Sequence, residues 1–94
     1  MYPEFEWDDA KAAKNLRKHG ISFLQATPAF RDPFAIEYLD DQENYGEDRF
    51  IRVGISGGQL LTIVFTERAD RIRIISARRS TKDEEEDYHS QNAR

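Results

Sequence analysis

The chain has 94 residues, with 14 Lys/Arg against 18 Asp/Glu, a net charge of −4 and no cysteine. A chain this short holds one hydrophobic core and buries only about 60–65% of its unfolded surface, which predicts one domain over residues 1–94 that gains stability from a partner. Lack of cysteine excludes disulfides, thiolate zinc sites and cysteine nucleophiles. With an acidic start at Met1-Tyr2-Pro3-Glu4 and no apolar run near the roughly 18 residues of a membrane span, the expected place is the cytoplasm, with no membrane contact.

Phe5-Glu6-Trp7 alternates apolar and polar, which predicts a short strand before Asp8 or Asp9 caps a helix. That helix runs to about His19 and stops at Gly20, since Lys11, Lys14, Arg17 and Lys18 favour its C-terminal end and glycine suits the left-handed C′ position. Ser22-Phe23-Leu24-Gln25 has the form of a capping box with Ile21 as its staple, so a second, short helix begins there. Pro28 is expected to limit it, and Asp32-Pro33 to close the segment.

From residue 35 the pattern turns to strands: Ala35–Leu39, a polar loop Asp40–Asp48, Phe50–Ile55, Leu60–Glu67 and Arg71–Ala77. Glycines 54, 57 and 58 read as a hairpin rather than a phosphate-binding loop, and Ala69-Asp70 as a second turn. Short connections imply antiparallel neighbours. Leu60 to Phe65 is apolar on both parities, which places that strand centrally with both faces covered. Ser80 or Thr81 starts a last helix whose first turns, Asp83 to Asp87, are acidic.

Charge is distributed unevenly. Residues 1–48 hold 5 Lys/Arg and 11 Asp/Glu, residues 49–82 hold 8 and 2, and residues 83–94 hold 1 and 5, giving −6, +6 and −4. Two readings follow: a local anion site on the strands, or acidic ends that fold over the basic strands and neutralise them. Plain alternation along Arg71–Arg79 places Ser76 and Arg78 with Ile72 and Ile74, and Arg71, Arg73 and Arg79 on the opposite side. A guanidinium at Arg78 can present a bidentate fork to a phosphate, or pair with one of the acids at 83–87.

Phe5-x-Trp7-Asp8-x-x-Lys11, Asn15-x-x-Lys18-His19-Gly20-Ile21-x-Phe23-x-x-Ala26, Glu47-x-Arg49, Thr66-x-Arg68 and Arg73-Ile74-Ile75-Ser76-Ala77-Arg78, with Glu84 and Tyr88 beyond, occur in register along nearly the whole chain. In these motifs the sequence resembles the BrnT toxins. Arg79-Ser80 departs from the family pattern, and the net charge is more acidic than that of a typical RelE-like nuclease. The resemblance implies an α+β, RelE-like fold, with two N-terminal helices packed on a central antiparallel sheet of about four strands and a C-terminal helix. It also implies a ribonuclease that blocks translation, and a hetero-oligomer with a BrnA-like ribbon-helix-helix antitoxin through which DNA is bound only indirectly.

RNA cleavage without a metal needs a base for the 2′-OH, a cation for the scissile phosphate and an acid for the leaving 5′-oxygen. Arg49, Arg68, Arg73, Arg78 and Arg79 are the candidate phosphate ligands. Glu84 and Tyr88 lie four apart on the last helix and can serve proton transfer or stacking, or simply join helix to sheet. His19 has the right titration range but sits where histidine commonly satisfies helix-terminal carbonyls. No metal site or cofactor is expected, because the histidines are far apart and Asp83–Asp87 lacks calcium-loop spacing. The rival reading is a binding module whose basic sheet docks an acidic partner without breaking a bond; a DNA-binding repressor is disfavoured by the lack of a recognition helix.

Overall fold

A computed structural model describes residues 4–40 and 46–93. In chain order they form β1 (Glu4–Glu6), α1 (Asp9–His19), α2 (Phe23–Ala26), a 3-10 helix (Thr27–Arg31), β2 (Ile36–Asp40), β3 (Arg49–Ser56), β4 (Gln59–Arg68), β5 (Arg71–Arg79) and α3 (Lys82–Asn92). Part of the polar loop expected over Asp40–Asp48, residues 41–45, lies outside the described residues.

The helix boundaries follow local chemistry. Asp8 caps α1 by accepting from the Ala10 N–H at 3.3 Å, and Gly20 ends it at φ 70°, a conformation that costs glycine little. The Ser22/Gln25 capping box forms in both directions at α2, with Ile21 buried beside it. α2 ends at Ala26, two residues before Pro28, as the proline predicts, but the chain goes on as a 3-10 helix. Proline falls in the first turn of the 3-10 helix, where its missing N–H has no intrahelical partner to lose, so the helical path continues to Arg31. Thr81 and Glu84 form a second capping box at α3.

The sheet has five strands in the order β1-β5-β4-β3-β2. This corrects the expected antiparallel four: β2, β3, β4 and β5 are antiparallel, but β1 joins as a fifth strand, parallel to β5, pairing Glu4 with Arg71 and Glu6 with Arg73. The parallel pair was hidden by distance along the chain, since strand pairing across 67 residues leaves no local turn signal. β4 takes the central place its apolar run predicts.

One face of the sheet carries the core. Ile21 from the turn between α1 and α2, with Phe23, Ala26 and Ala29 from the helices, packs on Leu61, Ile63, Ile74 and Ala77, and Phe5, Trp7 and Phe30 stand at the margin. Gly54 belongs to β3 rather than to a turn: a Cβ there would stand 2.8 Å from the Ala29 carbonyl oxygen, so the 3-10 helix approaches the strand only because the side chain is missing. The hairpin itself is Gly57-Gly58, with φ of 59° and 79°, as a type I′ turn requires. Arg52 fastens the same layer, donating from Nε to Ala29 O at 3.0 Å and from Nη1 to Glu37 at 2.9 Å. Among the described residues, no helix is long and apolar enough to cross a membrane.

Candidate functional site

The face opposite the core holds the site, and a β-bulge assembles it. Between Val64 and Phe65 the β4–β5 register shifts, so that Phe65 pairs with Ile74 but Val64 pairs with Ser76. The additional residue in β5 inverts the alternation beyond it. Arg71, Arg73, Ser76 and Arg78 therefore share one face, in register with Arg68, Thr66, Val64 and Thr62, while Arg79 goes to the core side opposite Leu61. This corrects the placement by plain alternation, which put Arg78 with Ile72 and Ile74, and Arg79 with Arg71 and Arg73. Arg49 joins the open face from β3, one residue before Phe50, whose partner Phe65 belongs to the core face.

Every arginine of this face meets a carboxylate. Arg73 donates to Glu6 at 2.9 Å, and Arg71 lies 3.3 Å from Glu4 and 3.7 Å from Glu6. Arg68 lies 3.3 Å and Arg49 3.7 Å from Glu47. The acidic flanks thus neutralise the basic strands, but loosely: the Arg68 and Arg71 side chains are 54% and 53% exposed. Exposed pairs of this kind contribute about 0.2–1 kcal/mol each, so an incoming phosphate can displace the carboxylates.

Arg78 is held differently. Its Nη1 and Nη2 donate to the two oxygens of Glu84 at 2.7 and 2.9 Å, a two-pronged fork. Glu84 Oε1 also accepts from Thr62 Oγ1 at 2.9 Å and from the Thr81 N–H at 2.8 Å, and Ser80 Oγ lies 2.9 Å from Thr62 Oγ1. Burial pushes the Glu84 carboxyl up, but Arg78, the Thr81 N–H and Thr62 outweigh it and bring the pKa down to about 2. Glu84 raises the Arg78 pKa in return, against burial. While the fork is closed, Glu84 is fully ionised at neutral pH and too weak a base for proton abstraction.

Tyr88 lies one turn beyond Glu84 on α3 and is buried. Its hydroxyl donates to Asp32 Oδ2 at 2.8 Å, and burial followed by that carboxylate pushes its pKa up to about 12. Asp32 also accepts from the Phe34 and Ile55 N–H groups, both at 2.9 Å, so it ties β3 and α3 to the end of the 3-10 helix. Asp32-Pro33 reads in sequence only as a breaker. Tyr38 is the second residue the sequence does not single out: it is 47% exposed on β2 opposite Ile51. Burial and the charge of Glu84 raise its pKa, with Arg78 acting against them, so Tyr38 stands within the electrostatic reach of the fork. Only the strand register, which one sequence does not supply, brings it there.

His19 and Arg79 lie elsewhere. His19 lines a recess of about 280 Å³ between α1 and β5, with Lys11, Lys14, Lys18, Ile75 and Ser76. Arg79 lines another, of about 560 Å³, beside Gln59, Ser80, Glu85 and His89.

A mixed sheet with α1, α2 and the 3-10 helix on one face, and on the other clustered guanidinium groups beside α3, which docks there through Glu84, defines an α+β protein built to receive anionic groups. The profile of the family described as the ribonuclease toxin BrnT of type II toxin–antitoxin systems matches residues 7–84, and the chain belongs to that family. Membership makes it the ribonuclease toxin of such a system, with an antitoxin as partner. No curated protein matches the chain.

Proposed function

We propose that the protein is an endoribonuclease that arrests translation by cleaving RNA on the open face of the sheet, with Arg78 gripping the scissile phosphate. The observation that carries this is the Arg78–Glu84 fork: a guanidinium that already presents two parallel donors to a carboxylate presents the same geometry to two phosphate oxygens. Arg68, Arg73 and Arg49 supply flanking phosphate contacts by giving up their carboxylates, whereas Arg79 lies on the other side of the sheet.

In this reading phosphate exchange switches on the base. Once phosphate takes the guanidinium, Glu84 loses the hydrogen bond that most lowers its pKa, rises toward the ordinary carboxylate range and becomes competent to remove the 2′-OH proton. The 2′-oxygen bonds to phosphorus and the bond from phosphorus to the 5′-oxygen breaks. Tyr38, which keeps its proton at neutral pH, donates to the departing 5′-oxygen. No metal or cofactor enters this route. Tyr88 acts as a positioning residue that anchors α3, and with it Glu84, through Asp32.

A BrnA-like ribbon-helix-helix antitoxin neutralises the toxin by covering this face, and DNA is engaged through the antitoxin alone. The test is induced expression of the toxin without its partner. Wild type arrests growth and fragments RNA, and Arg78→Ala relieves both while retaining the fold. A fully toxic Arg78→Ala removes the phosphate role. A harmless wild type that leaves RNA intact favours the rival, a module that docks an acidic partner.

A further inference from the structure

Among the described residues, the row of cations outside any ion pair is on α1, not on the sheet. Every open-face arginine meets a carboxylate, but among the described residues Lys11, Lys14, Arg17 and Lys18 of α1 form no ion pair at all. Lys11, Lys14 and Lys18 are exposed, follow a spacing of three and four, and therefore share one side of α1. They span about 10 Å along the helix axis at 1.5 Å per residue.

Asn15, on that same side, fixes where the row points. Its amide is hydrogen-bonded to the Ala77 N–H and C=O of β5, which locks the helix against the strand. β1 pairs with β5 only as far as Arg73, so among the described residues no strand covers the β5 edge over Ile75–Ser76. The lysines and the half-buried His19 line a recess of about 280 Å³ whose floor is Ile75 and Ser76. Ser76 also belongs to the open face, between Arg73 and Arg78 in the register with β4. Recess and open face thus meet at one residue.

We infer that the α1 lysine row is a second binding surface, which takes the phosphodiester backbone of single-stranded RNA as it leaves the Arg73–Ser76–Arg78 track over the edge of β5. This rests on the reading of the open face as the cleavage site and adds the path of the strand. The row binds by charge alone: exposed ammonium groups contact phosphates without reading bases. Because its lysines have no carboxylates to release, it makes the first contact with RNA, and the sheet arginines engage afterwards.

The experiment is a salt titration by fluorescence anisotropy of the full chain with a labelled, 2′-O-methylated single-stranded oligonucleotide of about 12 nucleotides, which binds but resists cleavage. The triple variant Lys11→Gln/Lys14→Gln/Lys18→Gln is expected to weaken binding on the order of tenfold or more and to flatten the slope of log affinity against log salt by about 2, at ~0.7 per phosphate contact. Arg17→Gln, which removes one charge from the same helix outside the recess, is expected to change the slope by no more than about 0.7. A triple variant with the wild-type slope overturns the lysine row, and if the wild type still cleaves unmodified RNA the cleavage reading stands. An Arg17→Gln effect as large as the triple variant's reduces the row to bulk charge and overturns it as well. So does a triple variant that keeps RNA but loses the antitoxin, which assigns the recess to the protein partner. A wild type that neither binds nor cuts RNA overturns both readings.

Discussion

The side-chain amide of Asn15 stands in for a missing strand at Ala77: its Nδ2 donates to the Ala77 carbonyl at 2.8 Å and its Oδ1 accepts the Ala77 N–H at 3.1 Å. The same Nδ2 donates to Ile21 O at 2.9 Å, so one buried amide closes the sheet edge, seats α1 and fixes the turn into α2. A buried edge with no such partner would leave three backbone groups unsatisfied.

Asn15→Asp is therefore expected to destabilise the protein severely, although it changes one heavy atom. The carboxylate keeps an acceptor for the Ala77 N–H but turns a second oxygen, with charge, toward the carbonyls of Ala77 and Ile21. A loss of about 2–4 kcal/mol is expected, read in a thermal melt as a fall of roughly 10–20 °C for a domain of this size. A melting temperature within about 2 °C of wild type would remove Asn15 from this role.

How far the sequence disclosed this arrangement depends on the range of each interaction. The caps at Asp8, Ser22, Gly20 and Thr81 act within four residues, and all four stand where the pattern predicts. Longer-range features were less legible. The bulge at Val64/Phe65 leaves no mark on composition, yet it decides that Arg78 and not Arg79 joins Arg73. Gly54 looks like part of a glycine-rich turn until Ala29 is seen against it. Asn15 stood out only as part of a motif, because its partners lie up to 62 residues away. The Arg78–Glu84 pair was among the readings the sequence allowed, being six residues apart across a strand-to-helix turn, whereas Tyr38 reaches the site only through three strands of register.

Acid is expected to release α3. Glu84 titrates near 2 in the folded protein, below the ordinary glutamate value of 4.5, and Asp32 is also lowered, by the Ile55 and Phe34 N–H groups, Tyr88 and Arg52 acting against burial. A depressed folded pKa means that the unfolded chain binds the proton first, so the stability these groups contribute is complete above about pH 5 and is lost as pH falls toward 2. Glu84 is expected to account for about 1–3 kcal/mol of that loss, after allowance for solvent screening. Thermal melts at pH 7, 4 and 3 on wild type and Glu84→Gln check this: the variant starts lower at pH 7 and declines less. Parallel decline of the two proteins would show that Glu84 does not carry the acid sensitivity.

Tyr38 separates proton transfer from stacking. The phenol is exposed on the open face, and its pKa is raised above the ordinary 10.0 by burial and by Glu84. It therefore holds its proton throughout the neutral range, as an acid for the 5′-oxygen must. Tyr38→Phe keeps the ring and removes the proton, so a stacking platform survives the change and a proton donor does not. Single-turnover cleavage of a labelled RNA is expected to slow by about 10²–10⁴-fold in Tyr38→Phe, with affinity for the 2′-O-methylated oligonucleotide altered less than about threefold, since base stacking is sequence-tolerant and needs only the ring. Tyr38→Ala is expected to lose binding as well. In the wild type the alkaline fall in rate belongs above pH 10, and Tyr38→Phe is expected to abolish that limb. Full activity in Tyr38→Phe combined with weakened binding in Tyr38→Ala would reassign the residue to stacking and require another donor for the 5′-oxygen.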